Sequence, residues 1–291
     1  MVWPEALLVL SVAGSTSSTN AFVAVSVAAP SSAKPQPWAE LMTYEPLANA
    51  YATNFSVIDP AMWATDTSCF SCKAPKDPET VFECTNNTAG ALRPGSIGDG
   101  VGLTIVTTRR SNAGACSPAP AGGTSGHLSS KQPFSFGTIR VKSRYFPGSV
   151  ERVSTAKGFI GLEDPHSGAI TITMHGVGGI ASGAPPQANW TRYMQSSCYQ
   201  HGQSHAKSFS NLGAAVNAAA HFNLYEIDWS STSVTISVNG KVVRRVSGAA
   251  NIPQKPLYVR LHARSTEYNS MAEGMAFESY IENFSFTPAQ E

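Results

Sequence analysis

The residues able to do chemistry in this chain are few, and their spacing gives them meaning. In Gly168-Ala-Ile-Thr-Ile-Thr-Met-His-Gly176, Ile170, Ile172 and Met174 alternate with Ala169, Thr171, Thr173 and His175. A period of two places the second set on one face of a β-strand. That face carries a methyl, two hydroxyls and an imidazole, which can hydrogen-bond a polar ligand but supply no carboxylate. Two carboxylates stand just upstream, Glu163 and Asp164 in Gly161-Leu-Glu-Asp-Pro165. Beside a proline turn they read first as solvated loop acids. Glu226-Ile-Asp228 puts two further carboxylates on one face of another strand.

Other chemistries find little support. His175 beside Gly176-Val-Gly-Gly179 has no second ligand at a recognisable spacing and reads as a hydrogen-bonded residue. His201 and His205 are four apart, but Gln200-His-Gly-Gln-Ser-His-Ala-Lys207 has the composition of a loop rather than a chelating helix. Cys69-Phe-Ser-Cys72 lacks a second half-site, so no metal is expected. With no Gly-x-Ser-x-Gly elbow, P-loop or dinucleotide fingerprint, no cofactor is expected either.

The elements that must position these groups are short strands. Leu103–Thr107 is β-branched, and Gly137–Tyr145 alternates Ile139 and Val141 with Arg140, Lys142 and Arg144. Ser233–Val243 contains Asn239-Gly240, the pair a type I′ hairpin turn requires. Leu257–Arg264 sets Leu257, Val259 and Leu261 against Tyr258, Arg260, His262 and Arg264, and Phe277–Phe286 supplies a last strand. This spacing predicts an all-β sandwich or jelly roll. The chain has 291 residues, 42% hydrophobic and 13% charged, with a net charge of +1. That length fills a core. The near-neutral balance, without a basic run, gives no basis for a nucleic-acid partner.

The N-terminal run Ala6–Ala13 followed by small residues predicts a signal peptide over residues 1–24. It is too short for a transmembrane helix, and no later stretch qualifies. Residues 25–40 have an Ala/Ser/Pro linker composition, and residues 41–291 form the folded domain. Sequons at Asn54, Asn86, Asn189 and Asn283 fit a secreted glycoprotein of the cell exterior or wall. In that setting Cys69, Cys72, Cys84, Cys116 and Cys198 are disulfide candidates with one left over, and their connectivity stays open.

Three segments carry a resemblance. Asn54-Phe-Ser-Val-Ile-Asp-Pro-Ala-Met-Trp63 looks like an opening strand, and Gly126–Lys142 sets a Ser-Lys pair before a Phe-Gly turn and an arginine-bearing strand. His221-Phe-Asn-Leu-Tyr-Glu-Ile-Asp-Trp229 precedes the Asn239-Gly240 hairpin. In this order, over about residues 50–287, they resemble glycoside hydrolase family 16. The resemblance implies a concanavalin A-like jelly roll of two antiparallel sheets. It also implies a polysaccharide or oligosaccharide partner and a retaining hydrolase or transglycosylase activity.

That activity rests on a Glu-x-Asp-x-Glu strand, whose acids the resemblance aligns with Ala169, Thr171 and Thr173; a shift by one pair gives Thr171, Thr173 and His175. Neither restores a carboxylate, and a methyl or hydroxyl does not replace a nucleophile or a general acid. The expectation is a non-catalytic glycan-binding or wall-associated protein, with Thr171, Thr173, His175, Trp190, Tyr193, Arg260 and His262 as binding residues. Aromatic rings would take apolar sugar faces and planar polar groups the hydroxyls, with inward arginines extending the range to anionic glycans. The alternative is an active glycosidase or transglycosylase on β-glucan-like polysaccharide, using Glu163 or Asp164 as displaced acids.

Overall fold

The structure, a computed structural model, describes residues 45–65, 69–73, 83–87, 89–98, 100–110, 121–145, 156–164, 166–175, 192–203, 207–265, 274 and 276–290. They fall within the unit Thr43–Glu291. The expected signal peptide and linker, Cys116, Asn189 and Trp190 lie outside the described residues.

Strand-forming sequences dominate because β-branched residues alternate with polar ones between Gly and Asn turns. One sheet has seven strands. Its order is β13 (Lys207–Asn211), β12 (Tyr193–Gln200), β11 (Gly168–His175), β10 (Ala156–Asp164), β17 (Tyr258–Ser265), β8 (His127–Ser130) and β2 (Trp63–Ala64). The second has eleven. Its main path runs β16 (Lys241–Ser247), β15 (Ser233–Val238), β14 (Asn223–Trp229), β9 (Gly137–Arg144), β18 (Ala276–Pro288), β6 (Gly100–Arg110), β7 (Ala121–Ser125), β4 (Glu83–Asn87) and β3 (Cys69–Lys73). β1 (Tyr51–Thr53) joins β18, and β5 (Leu92–Ile97) joins β6. Neighbours are antiparallel except β4 and β7, which run parallel.

The inward faces form one core. Ile160, Leu162, Ile170, Ile172, Met174, Val259 and Leu261 of the smaller sheet pack with Ile139, Val141, Ile227, Ile281 and Phe284 of the larger. At one side the sheets are tied by polar contacts. Arg244 of β16 donates to the Ser196 carbonyl at 2.6 Å and to its hydroxyl at 3.0 Å on β12. Gln200 donates to the carbonyls of Ala249 and Ile252, each at 2.6 Å.

The expected hairpin forms as read, with Asn239 at φ 49° and Gly240 at φ 78° between β15 and β16. The segment expected to open as a strand at Asn54 does not. Asn54–Met62 runs as turns, with Phe55 at φ 53° and fully buried, and pairing begins at Trp63. Phe55, Tyr51 and Phe284 close around Trp63, so a ring cluster rather than a ladder fixes this segment.

Candidate functional site

β11 divides its side chains as alternation requires. Ile170, Ile172 and Met174 join the core, whereas Ala169, Thr171 and Thr173 stand on the opposite face of the seven-stranded sheet. Cross-strand register defines their neighbours. Ala169 stands between Tyr199 of β12 and Glu163 of β10, which in turn faces Tyr258 of β17. Thr171 stands between Ser197 and Gly161, and the row continues to Arg260 and Ser129. Thr173 lies between Gln195 and Phe159, followed by His262 and His127. With strands about 4.8 Å apart, each row of at least four residues spans about 14 Å or more.

Glu163 is therefore a face residue and not a solvated loop acid. Arg260 Nη1 donates to its carboxylate at 3.1 Å, with side-chain exposures of 18% and 27% for the arginine and the acid. The Tyr199 hydroxyl is held above its usual pKa by burial and then by the charge of Glu163, which flanks Ala169 on its other side. Asp164 points elsewhere. Buried at 8% exposure, it accepts the His166 backbone N–H at 2.9 Å and fixes the β10–β11 turn. Glu163 and Asp164 are the acids on the described strands of this sheet, and alternation separates them to opposite faces.

The next row is aromatic. Phe159 stacks on His262 with centroids 4.4 Å apart and planes 22° from parallel. His127 meets His262 edge-on at 5.4 Å and shares a 3.0 Å hydrogen bond with Ser129 through Nε2. Gly161 makes this arrangement possible. A Cβ there would run into the Phe159 ring, reaching Cζ at 2.8 Å, and would touch Glu163 Cγ at 3.4 Å. The ring thus lies down over the glycine.

The sequence-derived residues fall out as follows. Thr171, Thr173, Arg260 and His262 share one face, joined at its β12 side by Tyr193, whose hydroxyl accepts from Asn211 Nδ2 at 3.1 Å. His175 belongs to β11, opposite Lys157, and its backbone alone is described. Glu226 and Asp228 lie in the other sheet. Glu226 pairs with Arg140 at 2.6 Å, and Asp228 accepts from Thr138 at 3.3 Å. Phe159 and Gly161 escaped the sequence reading, although an isolated glycine within a strand signals close approach of another group. Of the cysteines, Cys198 is free and buried, with its thiol toward the Asn251 carbonyl at 3.6 Å. Asn54 is exposed beyond β1, and Asn283 sits at an irregularity of β18 opposite Lys142. Among the described residues no group of three or more His, Cys, Asp or Glu side chains is placed to hold a metal.

A two-sheet sandwich with a polar and aromatic face on its smaller sheet defines a concanavalin A-like jelly-roll protein. The model of glycosyl hydrolases family 16 matches residues 98–280, and the chain belongs to that family. Solved structures agree in fold. A native glycosidic hydrolase is 17% identical with a TM-score of 0.61, over 84% of this chain and 99% of its own. A β-1,3-1,4-glucanase (lichenase) from a mouse hindgut metagenome is 15% identical with a TM-score of 0.58, over 83% and 100%. The apo Crh5 transglycosylase is 16% identical with a TM-score of 0.54, over 86% and 90%. No curated protein sequence matches the chain.

Proposed function

We propose that this protein binds a β-glucan-like polysaccharide on the outer face of its seven-stranded sheet without cleaving it. One observation carries the reading. The face of β11 presents Ala169, Thr171 and Thr173, and the neighbouring strands add a single carboxylate, Glu163, held by Arg260. Retaining hydrolysis needs two carboxyls about 5–5.5 Å apart, one to attack the anomeric carbon and one to move the proton. A lone carboxylate in an ion pair serves as a hydrogen-bond acceptor for sugar hydroxyls, with the guanidinium as donor. Phe159 stacked on His262 supplies the apolar platform, and Thr171, Thr173 and Gln195 supply further polar contacts.

Because Glu163 neutralises Arg260, the face favours an uncharged glycan over a sulfated or uronic one. The glucan class is supported by the similar solved structures, which include a β-1,3-1,4-glucanase. The N-terminal signal-like run, the linker composition and the four sequons support placement outside the cell or in its wall. A second reading keeps catalysis, because Glu163 is the direct cross-strand neighbour of Ala169 and is placed to substitute for an acid expected there.

The deciding experiment incubates the protein with β-1,3-, β-1,4- and mixed-linkage glucan oligosaccharides and with sulfated glycans, and follows both retention and products by mass spectrometry. Binding of a neutral glucan without new oligomers is expected. Shorter or longer oligomers that vanish in Glu163→Gln would overturn the non-catalytic reading.

A further inference from the structure

We propose that Cys72 and Cys84 are joined by a disulfide that staples the β3–β4 hairpin at the end of the eleven-stranded sheet. The inference concerns the scaffold and stands apart from the glycan-binding reading. Antiparallel register pairs Cys72 directly with Cys84, flanked by Ser71 opposite Thr85 and Lys73 opposite Glu83. Residues directly opposed in an antiparallel ladder have Cα atoms about 4.5–5.5 Å apart. Both values fall inside the separation of about 4.4–6.8 Å that a disulfide spans. The pairing register alone thus brings the two backbones within bridging range.

Cys69 and Cys198 compete poorly. Cys69 stands opposite Asn86, beyond a register shift. Cys198 is a free thiol buried in the other sheet. On its second side β4 pairs with β7, which places Gly122 opposite Cys84.

The hairpin also has a reason to need a covalent tie. β3 ends the strand order, and Cys-Phe-Ser-Cys-Lys paired with Glu-Cys-Thr-Asn-Asn offers one large apolar residue for burial. A polar two-stranded edge of this kind is marginal without further support. In the bridging reaction the two thiols lose two protons and two electrons. A disulfide donor, small-molecule or protein, accepts them by thiol–disulfide exchange and is reduced to two thiols.

The test is a peptide map of the full chain, produced through an oxidising secretory route. Free thiols are alkylated under denaturing conditions without reductant, and N-glycans are removed enzymatically. Trypsin with chymotrypsin cuts after Phe70, Lys73, Phe82 and Arg109, the Arg93–Pro94 bond being resistant, so Cys69, Cys72 and Cys84 fall on separate peptides. The expected species is Ser71–Lys73 linked to Glu83–Arg109, separating on reduction, with Cys198 alkylated. In Cys72→Ser and Cys84→Ser the partner cysteine becomes alkylated. For a closed loop on the order of a dozen residues, each variant lowers Tm by about 6–12 °C, and the double variant by no more than either single one. Alkylation of both cysteines in the unreduced wild type, or a bridge from either to Cys69 or Cys116, overturns the assignment.

Discussion

Gly161→Ala tests whether the aromatic row is a built platform. Gly161 has no unusual backbone angle, so alanine suits the strand and in isolation gains about 0.5–1 kcal/mol over glycine. The new methyl cannot coexist with Phe159 where it lies, and the ring must swing off His262. That forfeits a stack worth about 0.5–1.5 kcal/mol and adds strain near the low end of about 1–3 kcal/mol. The net cost is about 1–2 kcal/mol in the natural protein. In a Phe159→Ala background the clash is gone, and the same change stabilises by about 0.5–1 kcal/mol. A double-mutant cycle by urea unfolding should therefore give a coupling of about 2 kcal/mol between positions 159 and 161. Glucan affinity, by calorimetry, falls about 3- to 10-fold in Gly161→Ala, and by the same factor in Phe159→Ala. Equal stability effects of Gly161→Ala in both backgrounds would refute the claim that the glycine exists to seat the ring. Unchanged affinity would remove Phe159 from the binding surface.

Three further outcomes follow from the polar contacts. Arg260→Ala leaves the Glu163 carboxylate half-buried without its guanidinium and costs about 1–3 kcal/mol, measurable by urea unfolding; the Glu163→Gln, Arg260→Ala double variant recovers part of it. Arg244→Ala removes the donor that ties β16 to the Ser196 carbonyl and hydroxyl, and costs about 1.5–3 kcal/mol in the same assay. Burial pushes the Cys198 thiol up to about 11 in the folded protein, against about 8.5 when unfolded. Its contribution is fully present below the unfolded value and is lost as pH rises toward the folded one. Stability should thus fall between pH 8.5 and 10 in the wild type and fall less steeply in Cys198→Ala, followed by unfolding at each pH.

What could be read from the sequence was what alternates locally. β11 and β17 announced both their faces, so Thr171, Thr173, Arg260 and His262 were located before any strand was paired, and Asn239-Gly240 fixed its hairpin. Strand β10 was not legible. Gly158 and Gly161 interrupt its period, and glycine is a poor strand former in isolation. Both glycines answer to rings from elsewhere. Gly158 lies under Tyr145, and Gly161 lies under Phe159. The contact that makes Phe159 useful is with His262, about a hundred residues away along the chain, and cross-strand register is a non-local property no window reveals. The same holds for Glu163, which reads as a turn acid until β17 brings Arg260 beside it.

The two faces of β11 separate the residues that hold the fold from those that could meet a ligand. Ile170, Ile172 and Met174 are fully buried and hold the sheet to the core, so substitutions there are paid in stability. Ala169, Thr171 and Thr173 stand on the opposite face, where Ala169 and Thr171 are themselves covered at 1% and 8% exposure and Thr173 is partly exposed. Several carboxylates crowded on one face repel one another, so a neutral set is favoured energetically. Core packing and the proposed binding chemistry thus reside on opposite sides of one strand. Likeness of fold therefore does not decide chemistry, which must be judged from Ala169, Thr171, Thr173 and the residues beside them. Thr173→Glu, at the partly exposed position, should therefore leave the midpoint of unfolding within a few degrees of the wild type at neutral pH, whereas Ala169→Glu, buried opposite Glu163, should lower it further. A collapse of the fold in Thr173→Glu would show that the two faces of the strand are energetically coupled after all.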